Sequence, residues 1–317
     1  MNNNIENLIN LLPQLERVIE LLKQEKVARS SIAQEPAKVQ SQETSDENES
    51  DFDYLKSLLE GDVWPDAVDY DLICDTTSED DKLERAEGII ELMIEQHLEN
   101  LSFLDFGCGE GHIVNKSLEQ KPKMAVGYDI VIPKQSDYEW NNIENQEKTG
   151  MLLTTNFDEV KELAPFDVIL VYDVIDHIEN ETAKEMVEKV MEVSGDKTRI
   201  YIRCHPWCGR HGGHLYNSIN KAFVHMVFSD EELEQLGVDT SLSPTQKVIR
   251  PVMTYDNLFN NLDDVIVKYK NIDRSHVEEF FYKNKIVNKR LMNTLDLSKF
   301  NGFQMEQSFL DFVIVKK

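Results

Sequence analysis

Leu104-Asp105-Phe106-Gly107-Cys108-Gly109-Glu110-Gly111-His112 closes an apolar run that begins at Leu101 and opens onto a helical pattern. A short apolar run bounded by glycines reads as a buried strand. Gly107, Gly109 and Gly111 let the backbone turn tightly and let a ligand approach with no Cβ in the way. G-x-G-x-G alone is a weak signal. Its context strengthens it: a strand before, a helix after, and Asp105 two residues ahead of the first glycine. Asp129 then ends the next apolar run, MAVGYDIV at 124–131. An acid in that place can accept from both hydroxyls of a ribose.

Strands and helices alternate outward from this stretch, which predicts an α/β sheet. Strands are expected at 101–107, 124–131, 151–157, 166–175, 198–207, 263–272 and 308–317. Helices are expected from Gly111, over 81–99, 181–194 and 275–295, and around 216–226 and 229–236. The fold class read from this order is a Rossmann-like, doubly wound, mostly parallel seven-stranded sheet with an N-terminal helical extension. The domains read as an amphipathic helix at 1–27, an acidic disordered linker at 28–51, a helical lead-in at 52–100 and the α/β domain at 101–317.

The motif resembles that of the class I S-adenosylmethionine-dependent methyltransferases, whose first motif reads like LDFGCGEG. The resemblance is residue-specific mainly over 103–131 and 166–178, and it implies S-adenosyl-L-methionine as cofactor. Carried over by position, it implies that Asp105 orients water or the methionine amine. The backbone at Gly107 and Gly109 would line the methionine moiety, with Cys108 also in the cofactor-binding set and Gly111 allowing close passage; Asp129 would bind the ribose, and Ile130 would cover one adenine face. Asn156 and Phe157 would contact adenine. Tyr172 and Asp173 open the motif after strand four, with Asp176 and His177 matching an acid and a histidine the family often has there. A dinucleotide fingerprint fits less well, because it spaces its glycines G-x-G-x-x-G and usually lacks the acid at Asp105. Cys108 reads as a small packing residue rather than a nucleophile.

Acceptor chemistry is expected from the loop after strand five, Cys204 to Tyr216. Arg210 is placed to hold an anion, and His205, His211 or His214 to act as base. Each histidine taken singly also has a plain structural reading, paired to a carboxylate or to backbone. Cys204, Cys208, His211 and His214 present a C-x3-C-x2-H-x2-H pattern, tight for a tetrahedral zinc site and without a distant second half, so no metal is expected. Trp207 and Tyr216 suit either stacking on a planar acceptor or packing. Over 275–295, Phe280, Phe281 and Tyr282 interleave with Lys283, Lys285, Lys289 and Arg290, by default a solvated basic face over an aromatic one. The N/D-P-P-Y/F and Pro-Cys signatures of two DNA-directed classes are absent after strand four.

Hydrophobic residues make up 41% of the 317, which is enough for a core and excludes wholesale disorder. No apolar stretch is long enough to span a membrane, the N-terminus has no basic region, and four cysteines are too few for a disulfide framework. A cytoplasmic protein is expected. The formal net charge of −26 disfavours a large nucleic-acid footprint. It is uneven: Glu43 to Asp81 holds fifteen acids and one base, so the remainder is only mildly acidic. Ile5, Leu8, Leu12, Leu15, Ile19 and Leu22 form a heptad-like seam interrupted by Pro13. The seam predicts either docking on the chain's own body or homo-oligomerisation through 1–26. The function expected is methyl transfer to an unidentified acceptor, small molecule favoured. The rival is a methyltransferase-like structural or interaction protein, viral ones included.

Overall fold

The computed structural model describes residues 50–68, 78–132, 150–240, 257–259, 262–274, 276–294 and 305–316. The chain divides into two units, 1–48 and 49–317, and the described residues belong to the second. The seam helix at 1–27 and nearly all of the 28–51 linker lie outside them.

Helix α1 spans Asp51–Glu60 and α2 spans Glu79–Met93. The α/β alternation then runs β1 Ser102–Phe106, α3 His112–Ser117, β2 Met124–Tyr128, β3 Met151–Thr154, α4 Phe157–Leu163, β4 Phe166–Tyr172, α5 Asn180–Glu192 and β5 Ser194–Cys204. Short helices α6 Val224–Val227 and α7 Asp230–Gln235 follow, then β6 Val265–Arg274, α8 Glu279–Lys283, α9 Lys285–Thr294 and β7 Gln307–Lys316. The strands form one seven-stranded sheet in the order β3-β2-β1-β4-β5-β7-β6. β1 to β5 pair in parallel, and β7 runs antiparallel between β5 and β6. The fold is the Rossmann-like seven-stranded sheet that the sequence predicts.

Every residue of β1 is buried, as a central parallel strand covered on both faces requires. One face packs Leu104, Ile169 and Ile200 against α5 through Met186, Val187 and Val190. The other packs Phe103, Val168 and Tyr201 under Ile89, Ile90 and Met93 of α2. A second core stands apart from the sheet, built by Leu55, Trp64, Trp207, Phe223, Phe281 and Leu291. Trp64 is its centre: 2% exposed, ringed by Phe228, Phe280 and Phe281, its Nε1–H donating to the Ala222 carbonyl at 2.9 Å. Truncating such a residue costs about 3–5 kcal/mol. This core fixes the segment that follows β5.

Several boundaries differ from the pattern read in the sequence. β2 stops at Tyr128 because Asp129 accepts from the Val131 N–H and the Gly109 N–H, turning the chain out of the sheet. β3 stops at Thr154 because Asn156 caps α4, accepting from the Asp158 N–H. The expected helix over 275–295 is two helices. Asn284 breaks it by accepting from Ile286 and Val287, which makes it the cap of a new helix. Of 216–226 only α6 is helical, because Asn220 bonds the backbone of Ala67 and Val68 instead. The basic residues of 275–295 are partly committed: Arg290 pairs with Glu232 and donates to the Val227 carbonyl.

Candidate active site

The strand order reverses between β1 and β4, and in open α/β sheets the ligand crevice lies beyond the strand ends at that point. The loop after β1 and the loop after β4 meet there. Gly107 has φ +90°, and a Cβ on it would lie 2.2 Å from Val174 Cγ2, so a glycine is required for the two loops to close on each other. The N–H groups of Gly107 and Cys108 donate to the Tyr128 carbonyl at 2.7 and 3.1 Å. Gly109 donates to Asp129 Oδ2 at 2.8 Å. The motif is thus clamped to the end of β2.

Beneath it, Asp105 is 1% exposed and its Oδ2 has no hydrogen-bond partner among the described residues. Burial, then the charge of Asp129, pushes its carboxyl up to about 7. Beside Asp129, Ile130 and Val131 are 77% and 67% exposed, a bare apolar surface at the strand end. Cys108 is buried, its thiol raised by burial and by Asp105, so it is packing and not a nucleophile. Gly111 caps α3 with φ +88°. Asn156 is the α4 cap, and Phe157 packs against Phe106 and Tyr128.

Adjoining the loop after β4 is a cleft of about 760 Å³. Tyr172, Asp173, His177, His205, His211 and His214 line it, with Tyr216, Arg85 and Arg203. Sequence reasoning placed acceptor chemistry in the loop after β5, and its three histidines all reach this cleft. His205 Nε2 lies 2.9 Å from Asp173 Oδ1, and its Nδ1 lies 2.7 Å from His211 Nε2. Burial pulls His205 down, but the Asp173 carboxylate, 2.9 Å from its Nε2, outweighs it, so its pKa is raised. In return, His205 holds Asp173 below the usual range against the effect of burial. His211 and His214 are pushed down to about 3, by burial first, then by neighbouring histidines, and both are neutral at pH 7. Burial, then Asp173, raises the Tyr172 phenol to about 12, which keeps it a donor. Burial, then the charge of Asp173, raises Asp176 to about 6.

The loop is held by its anchors in the second core, where Trp207, Cys208 and Leu215 are buried. A Cβ on Gly213 would lie 2.3 Å from His225 Cβ and 2.4 Å from its ring Cγ, so this close packing needs glycine. Arg210 is a strut. Its Nη1 and Nη2 lie 2.8 and 2.6 Å from the two Glu278 oxygens, while Nε donates to the Asp66 carbonyl and Nη1 to that of His276. The guanidinium fork expected to hold an anion already carries a bidentate partner. Trp207 packs in the second core, whereas Tyr216 lines the cleft.

The family model described as "Methyltransferase domain" matches residues 79–248, just over half of the chain. The chain belongs to that family. Similar solved methyltransferases include one from Mesorhizobium loti, S-adenosylmethionine dependent, at 12% identity and TM-score 0.43, covering 74% of this chain and all of that one. Another is the magnesium protoporphyrin IX methyltransferase of Synechocystis with bound S-adenosylhomocysteine, at 13% identity, TM-score 0.42 and coverage of 76% and 89%. No curated protein matches the chain in sequence.

Sequence reasoning missed a buried pair in the sheet. Arg203 Nε and Nη2 donate to Asp311 Oδ1 and Oδ2 at 2.6 and 2.7 Å, across neighbouring positions of β5 and β7. Its guanidinium lies 4.5 Å over the Phe309 ring at the cleft wall. The only local signal is a charge inside each of two apolar runs, Arg203 after IYI and Asp311 in SFLDFVIV. Arg85, on α2, carries no such signal.

Proposed function

We propose that this chain transfers a methyl group from S-adenosyl-L-methionine to a small-molecule acceptor held in the cleft beside Asp173 and His205. The observation that carries this reading is the buried Asp105 Oδ2, without a hydrogen-bond partner among the described residues, beneath a glycine loop clamped to Asp129. A buried polar atom without a partner calls for one, and a cationic amine supplies it. Asp129 retains lone pairs for ribose hydroxyls, and Ile130 and Val131 offer an apolar face to a purine. The cleft volume of about 760 Å³ suits a small molecule and not a duplex.

When bound, the cofactor would supply an electrophilic methyl on a sulfonium: the acceptor lone pair would bond to that carbon in line as the carbon–sulfur bond breaks and the neutral thioether leaves. The chain's own part is to position the acceptor and take its proton. His211 and His214, at about 3, are too weak to keep a proton near neutrality. His205 is the base that can. A proton accepted at the Nδ1 of His211 passes from its Nε2 to His205 Nδ1 across the 2.7 Å contact. The charge then rests on His205, where Asp173 stabilises it.

Calorimetric titration with S-adenosylmethionine and S-adenosylhomocysteine tests the reading. Both should bind at one per chain, and Asp129→Ala should weaken binding by about 1–3 kcal/mol. Absence of binding by the folded chain would leave the methyltransferase-like interaction protein as the better description.

A further inference from the structure

We propose that Asp176, His177 and His214 form a binding site for one first-row divalent transition-metal ion in the wall of the cleft. Their ligand atoms all lie within 4.8 Å of one another. His214 Nε2 and His177 Nε2 stand 3.6 and 3.8 Å from Asp176 Oδ2. Those distances are too long for hydrogen bonds. Ligand atoms about 2.1 Å from a shared ion sit roughly 3.0–3.4 Å apart, so both Asp176 contacts are a few tenths of an ångström beyond that spacing, and the two histidine nitrogens, within 4.8 Å, close on the ion by side-chain rotation. The His177 and His214 rings are crossed at 73° with centroids 4.4 Å apart, so they are not stacked on each other.

A second observation points to a ligand. Asp176 is 3% exposed, and neither of its carboxylate oxygens has a hydrogen-bond partner among the described residues. His214 Nε2 is likewise buried without one. A carboxylate and an imidazole nitrogen left bare at the same point are unfavourable unless something between them satisfies both. A cation does so.

The backbone brings the ligands together from two strand ends. Asp176 and His177 sit in the turn after β4, closed by the His177 N–H donating to the Val174 carbonyl. His214 comes from the loop after β5. Two imidazoles and one carboxylate suit the ions from Mn²⁺ to Zn²⁺, rather than Mg²⁺ or Ca²⁺, which prefer all-oxygen sets, or Cu⁺, which prefers sulfur. Cys204 and Cys208 are outside the set that converges, so this is a different site from the cysteine–histidine one suggested by spacing. Three protein ligands leave coordination positions open. His177 and His214 line the cleft, so those positions are accessible to water or to an oxygen of the acceptor, which the ion would acidify.

The test is metal binding by the full chain, stripped with chelator and measured by equilibrium dialysis and elemental analysis with Mn²⁺, Co²⁺ and Zn²⁺. It needs neither acceptor nor cofactor, so its outcome is separate from that of the methyl-transfer reading. One ion per chain is expected. Asp176→Asn and His214→Gln should weaken binding at least about tenfold, while Cys208→Ser and His225→Gln should leave it unchanged. The Co²⁺ spectrum should lack a thiolate charge-transfer band. His177 is 39% exposed at its side chain, so His177→Gln preserves the fold and should also lose affinity. No stoichiometric ion, undiminished binding in His177→Gln, or loss of the ion in Cys208→Ser would each overturn the proposal.

Discussion

Asp173 and His205 meet at 2.9 Å from the ends of two adjacent parallel strands, the carboxylate just past β4 and the imidazole just past β5. Asp173 reaches this position with φ +54°, a conformation that few non-glycine residues adopt. The pairing decides which of the cleft histidines can hold a proton.

Replacing Asp173 by Asn should therefore invert the behaviour of His205. In chelator-treated wild type, the His205 ring proton should titrate above the ordinary value of 6.5, because Asp173 outweighs burial. In Asp173→Asn, burial acts with the carboxylate charge gone, and His205 should titrate below that value. Arg203, His211, His214 and Asp176 also face His205, so their retention keeps the comparison clean. Histidine NMR titration checks it, and an unmoved resonance would show that Asp173 does not set the charge.

Gly107→Ala should destabilise the fold by about 2–4 kcal/mol, combining left-handed strain with overpacking against Val174. It should also abolish S-adenosylhomocysteine binding. Val174→Ala added to it should recover the packing part and leave the backbone part. Denaturant melts of the two single variants and the double variant separate these contributions.

Arg203→Met should cost about 3–5 kcal/mol, because it leaves Asp311 buried and unpaired. The double variant Arg203→Met with Asp311→Leu should be much closer to wild type. A double variant as unstable as the single one would mean that Arg203 acts through Phe309 and Tyr172 instead.

His225 donates from Nε2 to the Trp207 carbonyl at 2.7 Å, and burial pushes its pKa down to about 4. In the unfolded chain it titrates near 6.5. Between those values the unfolded state binds a proton that the folded state does not, so stability falls as pH falls from about 6.5 to about 4. The loss tends toward about 3 kcal/mol. His225→Gln should lack this contribution, so the stability gap between wild type and variant should shift in the variant's favour on acidification. Urea melts at pH 7 and pH 4.5 measure it.

The glycine loop is legible in the amino-acid sequence because its signals are local. Positive φ at Gly107, Gly109 and Gly111, the apolar run ahead of them and the acid at Asp129 follow from residues close together along the chain. The alternation of apolar runs with helical patterns likewise specifies seven strands and their succession along the chain. Boundaries are less legible, because Asn156, Asn284 and Asn220 each redirect the backbone through a side-chain hydrogen bond that composition does not display.

The meetings between distant residues belong to tertiary structure. Arg203 and Asp311 are 108 residues apart and pair only because β7 inserts antiparallel beside β5. In the sequence His205 is one of three equivalent candidates. It is singled out because β5 lies next to β4, which brings Asp173 to within 2.9 Å of it, whereas His214 meets Asp176 only at 3.6 Å and burial keeps His211 and His214 neutral. Arg210 reads as free to hold an anion, but in the fold Glu278, far along the chain, takes its guanidinium. The sequence carries the strand pattern and the glycine loop because backbone geometry and hydrophobic period act between near neighbours. The charge state of each cleft residue depends on burial and on the nearest opposite charge, and only the packed sheet determines both.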